Sequence, residues 1–129
     1  MLDASAAVEL LLNSSAGRRV AARLRNPRAT LHAPHLIDLE VAQTLRRYVR
    51  EGTLAEERGR LAVQHLALLD LERYPHDPFL GRIWTLRDNV TAYDAAYVAL
   101  AEALSAPLVT CDRRLAESPG LGVDFELVG

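Results

Sequence analysis

The chain has 129 residues, with 15 arginines and no lysine against 17 acidic residues, so its formal net charge is −2. This balance does not indicate general binding to nucleic acid or membrane surfaces, and the half-hydrophobic composition is ordinary for a globular protein. The single cysteine excludes an internal disulfide, and the sequence has neither a basic, apolar leader nor an apolar run of ~18 residues. We therefore expect one domain over residues 1–129, in a soluble cytoplasmic protein.

Helix-like and strand-like segments alternate along the chain, as judged from apolar spacing and from Pro, Gly and Asn breaks. In chain order, we expect a helix over 3–13, a helix over 16–25, a strand over 29–33, a helix over 34–51 begun by Pro34, a helix over 53–69 with a Thr53 capping box, a strand over 71–74, a helix over 75–84, a helix over 91–104, a strand over 107–111 and a strand over 123–128. This alternation predicts an α/β fold, a three-layer α/β/α sandwich with a central, mostly parallel sheet.

Four acidic residues lie where apolar segments meet solvent: Asp3, Glu40, Asp94 and Asp112. Asp3 and Asp112 follow strand-like runs, and parallel sheets bind ligands beyond the carboxyl ends of their strands. Glu40 lies at the edge of the apolar stripe of its helix, and Asp94 lies on an apolar face of another. Buried acids need a partner or a cation, and no lysine is present to pair with them. A shared divalent metal is therefore the economical explanation.

Each acid also has a purely structural explanation. Asp3 and Asp112 each precede a helix, where a carboxylate commonly caps free backbone amides. Thr91 and Asp94 match a capping box, and Glu40 fits an ordinary boundary position. Capping does not explain why two strands end in Asp while an acid marks each of two apolar helices. The combination therefore favours a functional site.

The motifs resemble those of the PIN domain, in particular the VapC toxin branch of bacterial toxin–antitoxin pairs. The resemblance spans essentially the whole chain, and it rests on Asp3-Ala4-Ser5, on the Pro34–Glu40 spacing, and on the runs 93–101 and 108–115. Only two residues precede Asp3, where the family usually has several more strand residues. The third motif, which begins Tyr-Asp-Ala-Ala-Tyr, is the most specific.

This resemblance implies a magnesium- or manganese-dependent endoribonuclease that acts as the toxin of a toxin–antitoxin pair. It implies RNA as the substrate, a cognate antitoxin as a partner and a homodimer as the assembly. Hard cations prefer carboxylate oxygens, which agrees with an acidic site. The resemblance assigns catalysis and metal binding to Asp3, Glu40, Asp94 and Asp112.

Other polar residues are expected to support these acids. Ser5 and Thr110 are expected to fix the carboxylates by hydrogen bonding, or else to satisfy nearby backbone groups. Asn89, just before the helix of Asp94, is expected either to contact phosphate or water or to cap a helix end.

Arginines near the acids are candidates for RNA contact. Arg46 and Arg47 follow Glu40 by one to two helical turns, and arginine is suited to phosphate. A solvated helix face explains many of the chain's arginines equally well. Stacking on RNA bases is one interpretation of Trp84 and Tyr97, but both occupy core-like helical positions, so we expect both to pack in the interior.

Three alternative classes remain in view. A phosphoacceptor or haloacid-dehalogenase-like metal-dependent phosphatase also places Asp at strand ends, but those families need a lysine that this chain lacks. A catalytically silent PIN-like interaction module is disfavoured by the presence of all four acids, and a metal-dependent cleavage assay decides the matter. A structure-specific DNA nuclease needs insertions for which 129 residues leave no room.

Overall fold

A computed structural model describes all residues from Met1 to Gly129. In chain order its elements are α1 (Ala4–Leu12), α2 (Ser15–Arg23), β1 (Leu31–Pro34), α3 (Ile37–Arg50), α4 (Glu56–Leu68), β2 (Leu71–Tyr74), a 3-10 turn (Asp77–Phe79), α5 (Leu80–Thr85), α6 (Ala92–Leu104), β3 (Leu108–Thr110), α7 (Arg113–Ala116) and β4 (Phe125–Leu127). None of these helices has the length and apolar character needed to cross a bilayer.

The first three residues complete a five-stranded sheet. β1 pairs in parallel with β2, and β3 pairs in parallel with β4. Between these pairs, the Leu2 amide donates to the His32 carbonyl at 3.1 Å, and the Val109 amide donates to the Met1 carbonyl at 2.9 Å. Leu2 pairs in parallel with Val109. The strand order is therefore β2, β1, residues 1–3, β3 and β4.

Helices cover both faces of this sheet. Helices α1 to α4 connect residues 1–3 to β1 and then β1 to β2, on one side of residues 1–3 in the strand order. Helices α5 to α7 connect β2 to β3 and then β3 to β4, on the other side. Right-handed crossovers in opposite directions place the two groups of helices on opposite faces. Within these groups α1 packs against α2, α3 and α4, and α6 packs against α5. The expected three-layer α/β/α sandwich is confirmed.

A cluster of 24 buried hydrophobic residues lies between the sheet and its helices. The most completely buried helix is α6, where every residue from Ala95 to Ala101 is buried. Its many alanines let the helix backbone lie close to the strands, because Ala carries no side chain beyond Cβ. This close packing holds the N-terminal end of α6 against the carboxyl edge of the sheet.

Two local predictions are wrong at helix starts. Pro34 does not begin a helix: it is the last residue of β1, and α3 begins at Ile37. Its backbone pairs in register with Tyr74 of β2, so pairing with the neighbouring strand places Pro34 in β1. Thr53 does not form a capping box either, because its hydroxyl donates to the Tyr48 carbonyl at 3.2 Å and α4 has no side-chain cap.

Candidate active site

Asp3 and Asp112 lie at the carboxyl edge of the sheet, on neighbouring strands from which the chain departs in opposite directions. Parallel α/β sheets bind ligands in the crevice at such a switch point. Both residues also cap helices: Asp3 Oδ1 accepts from the Ala6 amide at 2.9 Å, and Asp112 Oδ1 accepts from the Leu115 amide at 3.3 Å. The capping explanation is therefore correct at both positions, and in each residue the cap uses Oδ1 and not Oδ2.

Two hydroxyls hold Asp3, which is only 5% exposed. Ser5 Oγ donates to Asp3 Oδ1 at 2.7 Å and accepts from the Cys111 amide at 2.9 Å. The Thr110 hydroxyl donates to Asp3 Oδ2 and accepts from the Asp112 amide at 2.9 Å. Both hydroxyls therefore tie Asp3 to the turn after β3. Oδ2 receives a single hydrogen bond and keeps one lone pair free.

Glu40 and Asp94 reach the same edge from the first turns of α3 and α6. The Tyr97 hydroxyl donates to Glu40 Oε1 at 2.7 Å. Burial and the charge of Glu40 raise the pKa of Tyr97, so its hydroxyl stays a proton donor. The expected Thr91 cap is present, because Thr91 Oγ1 accepts from the Asp94 amide at 3.2 Å. This contact of Tyr97 was not predicted, although the three-residue spacing between Asp94 and Tyr97 places both on one helix face.

The charges of the four acids act on one another. Burial is the main cause that raises the pKa of Asp3, Glu40 and Asp94. The charge of Asp112 raises the pKa of Asp3 and Asp94 further, while Asp94 and Asp3 raise that of Glu40. Arg114 acts in the opposite direction and lowers the pKa of Asp94. The four carboxylates thus lie within electrostatic range of one another, and we call them the acidic cluster.

The acidic cluster has the chemistry of a site for a hard divalent cation. No three His, Cys, Asp or Glu side chains come close enough to form a closed group of metal ligands. Magnesium is usually held by one or two carboxylates and several waters, so a closed group is not required. A cation also relieves the like-charge repulsion that raises the pKa values of these acids. The residue types present therefore suit a hard divalent cation, and Asp3 Oδ2 keeps one lone pair free.

Three residues predicted to support the site form no hydrogen bond or ion pair with the acidic cluster. Asn89 Nδ2 donates to the Pro119 carbonyl at 3.2 Å. Arg47 lies 3.9 Å from Glu51, and Arg46 lines a separate groove of about 420 Å³ between α3 and α4. Asn89 does line a pocket that it shares with Asp94.

This pocket has a volume of about 390 Å³ and includes Arg87 and Arg114, neither of which the sequence analysis singled out. Arg114 Nη2 lies 3.9 Å from Asp112 Oδ2, and the position of Arg114 two residues after Asp112 was the available signal. The prediction that Trp84 packs in the core is wrong, because its side chain is 68% exposed. The indole lies at the end of a short helix, with the Arg87 guanidinium 4.8 Å from its ring centroid.

Comparison with known proteins agrees with this fold. The PIN domain family model matches residues 1–121. The chain is 46% identical over 128 residues to Ribonuclease VapC12 of Mycobacterium tuberculosis, covering 99% of this chain and 98% of that protein. It is 45% identical over 129 residues to Ribonuclease VapC1 of the same organism, covering 99% and 96%.

A solved structure, PAE2754 from Pyrobaculum aerophilum, has a similar fold. It matches with a TM-score of 0.60 at 22% identity, over 89% of this chain and 81% of that one. Taken with the sequence matches, these findings define the class as a PIN domain. The chain belongs to the PIN-domain family, within its VapC ribonuclease branch.

Proposed function

We propose that this protein is a metal-dependent endoribonuclease that acts as the toxin of a toxin–antitoxin pair. The observation that carries the proposal is the acidic cluster, which collects four carboxylates from four elements at the switch point of a parallel sheet. The relatives named VapC ribonucleases support RNA as the substrate, since they align with nearly the whole chain.

In this proposal the four acids bind the metal and its water. We assign the most direct metal contacts to Asp3 and Asp94, while Glu40 and Asp112 hold a second ion or orient bound water. When bound, the ion lowers the pKa of an attacking water and stabilises the phosphate during in-line displacement. The acids themselves position the ion against the phosphodiester of the substrate.

Three hydroxyls donate hydrogen bonds to the acids and favour their ionised form. Ser5 and Thr110 hold both oxygens of Asp3, and Tyr97 holds Glu40. Hydrogen bonds to a charged carboxylate lower its pKa and oppose the effect of burial. We propose that these donors orient the carboxylates for the metal. A role of Asn89 in contacting phosphate or water, and of Arg46 and Arg47 in binding RNA, stays a prediction.

The toxin assignment implies a partner. A ribonuclease that acts on the cell's own RNA damages that cell unless it is inhibited, so we propose a cognate antitoxin and a cytoplasmic site of action. The acidic cluster has no lysine to neutralise it. An arginine of the antitoxin therefore suits the cluster as a substitute for the charge of the metal.

Cleavage of end-labelled single-stranded RNA tests the catalytic assignment. The purified wild-type protein should cleave this RNA in the presence of Mg²⁺ or Mn²⁺, and EDTA should stop the cleavage. The cleavage rate of Asp94→Asn should be more than about 100-fold below that of the wild type. Mutation of residues that only orient metal ligands already lowers metal affinity or activity by about 10–100-fold. Asp70→Asn is the matched control, because Asp70 is an exposed acid just before β2, at the opposite edge of the sheet. Full activity in Asp94→Asn would remove Asp94 from the catalytic set.

Growth on induced expression tests the toxin assignment. The wild type should arrest growth, Asp94→Asn should not, and co-expression of the proposed antitoxin should restore growth. Folded wild-type protein that leaves growth unchanged would contradict the toxin assignment while leaving the ribonuclease assignment intact.

A further inference from the structure

The pocket beside the acidic cluster carries two arginines that protein acids do not neutralise strongly. The side chain of Arg114 is 81% exposed, and its contact with Asp112 is at the 3.9 Å limit of an ion pair. Arg87 forms no ion pair, and its guanidinium donates only to the Trp84 carbonyl at 3.1 Å. Exposed ion pairs contribute little stability, so Arg114 is free to rearrange toward another anion.

Trp84 gives this region an exposed aromatic surface. The guanidinium of Arg87, which also lines the pocket, lies over the Trp84 ring at 4.8 Å from its centroid. The Arg87 guanidinium therefore joins the pocket that Asp94 lines to the exposed indole. Exposed aromatic rings next to arginines are the usual means by which proteins hold single-stranded nucleic acid, through base stacking and phosphate contacts.

We propose that this pocket binds the RNA phosphate adjacent to the scissile one through Arg87 and Arg114, and that a neighbouring base stacks on Trp84. The inference rests on the proposed function, which sets the scissile phosphate at the acidic cluster. Asp94 belongs both to that cluster and to the wall of the pocket, so one strand reaches both. The arginines supply positive charge where the acids would otherwise repel the polyanion.

The phosphate contacts are tested by RNA affinity in an Asp94→Asn background, so that the strand stays intact. Fluorescence anisotropy with a labelled 12-nucleotide single-stranded RNA in Mg²⁺ provides the measurement. Arg87→Gln and Arg114→Gln should each weaken binding by roughly tenfold. Each should also reduce the slope of log affinity against log salt by about 0.7. Arg114→Lys should keep most of the salt slope.

Arg113→Gln is the matched control, because Arg113 is the neighbouring exposed arginine and is paired with Glu117. Thermal unfolding of each variant confirms that it is folded. If Arg87→Gln and Arg114→Gln lose no more affinity than Arg113→Gln, the arginines act only by general charge attraction. That result would overturn the proposed phosphate and base site, which we call the subsite. Arg46→Gln and Arg47→Gln, measured alongside, test the separate expectation that those residues bind RNA.

The stacking contact is tested with RNAs that carry a single abasic ribose at successive positions. Trp84→Ala should lower affinity for intact RNA by roughly tenfold, and Trp84→Phe should largely restore it. When the base that stacks on Trp84 is the one removed, the protein with Trp84 and the Trp84→Ala variant should bind the RNA with equal affinity. A constant difference at every position would contradict stacking.

These results separate the subsite from the proposed function. If the wild type cleaves RNA but the arginine and tryptophan variants bind it like their parent, the subsite is wrong and the ribonuclease assignment stands. If the wild type cleaves no RNA while binding depends on Arg87, Arg114 and Trp84, the subsite stands as an RNA-binding site and the catalytic assignment fails.

Discussion

Thr110 joins the two strand-end acids through one hydroxyl group. It donates to Asp3 and accepts from the backbone amide of Asp112, and no part of its side chain reaches solvent. Because the Thr110 side chain is fully buried, water cannot replace its hydrogen bonds when Thr110 is substituted. A substitution should therefore change both the stability of the fold and the position of Asp3.

Thr110→Val should lower the free energy of unfolding by about 1–3 kcal/mol, because the isosteric methyl leaves Asp3 Oδ2 and the Asp112 amide without a partner. Thr110→Ser keeps the hydroxyl and should retain the site while leaving a small cavity. Urea unfolding and Mn²⁺ titration measure the two effects. Metal affinity should fall about 10–100-fold in the valine variant and much less in the serine variant. Equal metal affinity in all three proteins would show that the hydroxyl does not orient Asp3.

Asp94→Asn should stabilise the metal-free protein at neutral pH. The pKa of Asp94 in the folded chain lies above its ordinary value of 3.8, mainly through burial and also through Asp112. A raised pKa contributes stability that is complete below the unfolded value and is lost as the pH rises through the folded value. The variant should therefore match the wild type near about pH 4 and exceed it increasingly toward about pH 7.

Urea unfolding in EDTA across that range measures this difference. Mg²⁺ should reverse the order, since a ligand that binds only the folded state stabilises the wild type more than the variant. A wild type that is as stable as the variant at neutral pH without metal would contradict the like-charge account of the acidic cluster.

At the level of elements, the close crossing of α1 and α2 sets the position of the helix that Asp3 caps. Gly17 lies in the first turn of α2, where a Cβ atom would come within 1.9 Å of the Glu9 carbonyl oxygen. Ser14 caps this helix by accepting from the Gly17 amide at 2.9 Å, so the turn cannot move freely away. The backbones touch because one of them has no side chain.

Gly17→Ala should destabilise the fold by about 3 kcal/mol, since overpacking against backbone is not relieved by a rotamer change. Gly81→Ala is the matched control in helix α5, because a Cβ there meets nothing within 4 Å. That change should stabilise by about 0.5–1 kcal/mol, as expected for an unstrained helical glycine. Thermal or urea unfolding measures both. Equal stability of the two variants would contradict the close crossing.

At the scale of the whole molecule, the helices between residues 34 and 69 carry apolar side chains that the sheet does not cover. Leu39 is 76% exposed and Leu68 is 82% exposed. Leu39 shares a hollow with Glu40 and with Tyr93, which is 66% exposed. Large exposed apolar side chains gathered beside a site are typical of an interaction surface.

We predict a homodimer that buries part of this surface. Light scattering at micromolar concentration should give about twice the chain mass of 14.2 kDa. Leu39→Arg should shift the protein toward the monomer, because an interfacial charge is costly to desolvate. Leu104→Arg is the control outside these helices, at a position only 37% exposed. A mass of 14.2 kDa for the wild type would rule out the dimer under those conditions.

Local patterns determined the elements and the class of fold. Apolar spacing located the helices that became α1 and α6, and the run that ends at Asp112 located β3. These signals are readable because helix and strand periods are properties of neighbouring residues. The motif around Asp94 pointed to the PIN domain, and the match over residues 1–121 confirms it.

Only the tertiary structure decided which polar side chains meet. Tyr97 reaches Glu40 across two helices, and Ser5 reaches the turn after β3 across 106 residues of chain. Trp84, predicted to be buried, is exposed because α5 is a single short helix at the surface. Pro34 ends a strand because Tyr74 lies beside it in β2. Such outcomes depend on long-range packing and strand pairing, which local propensity does not specify.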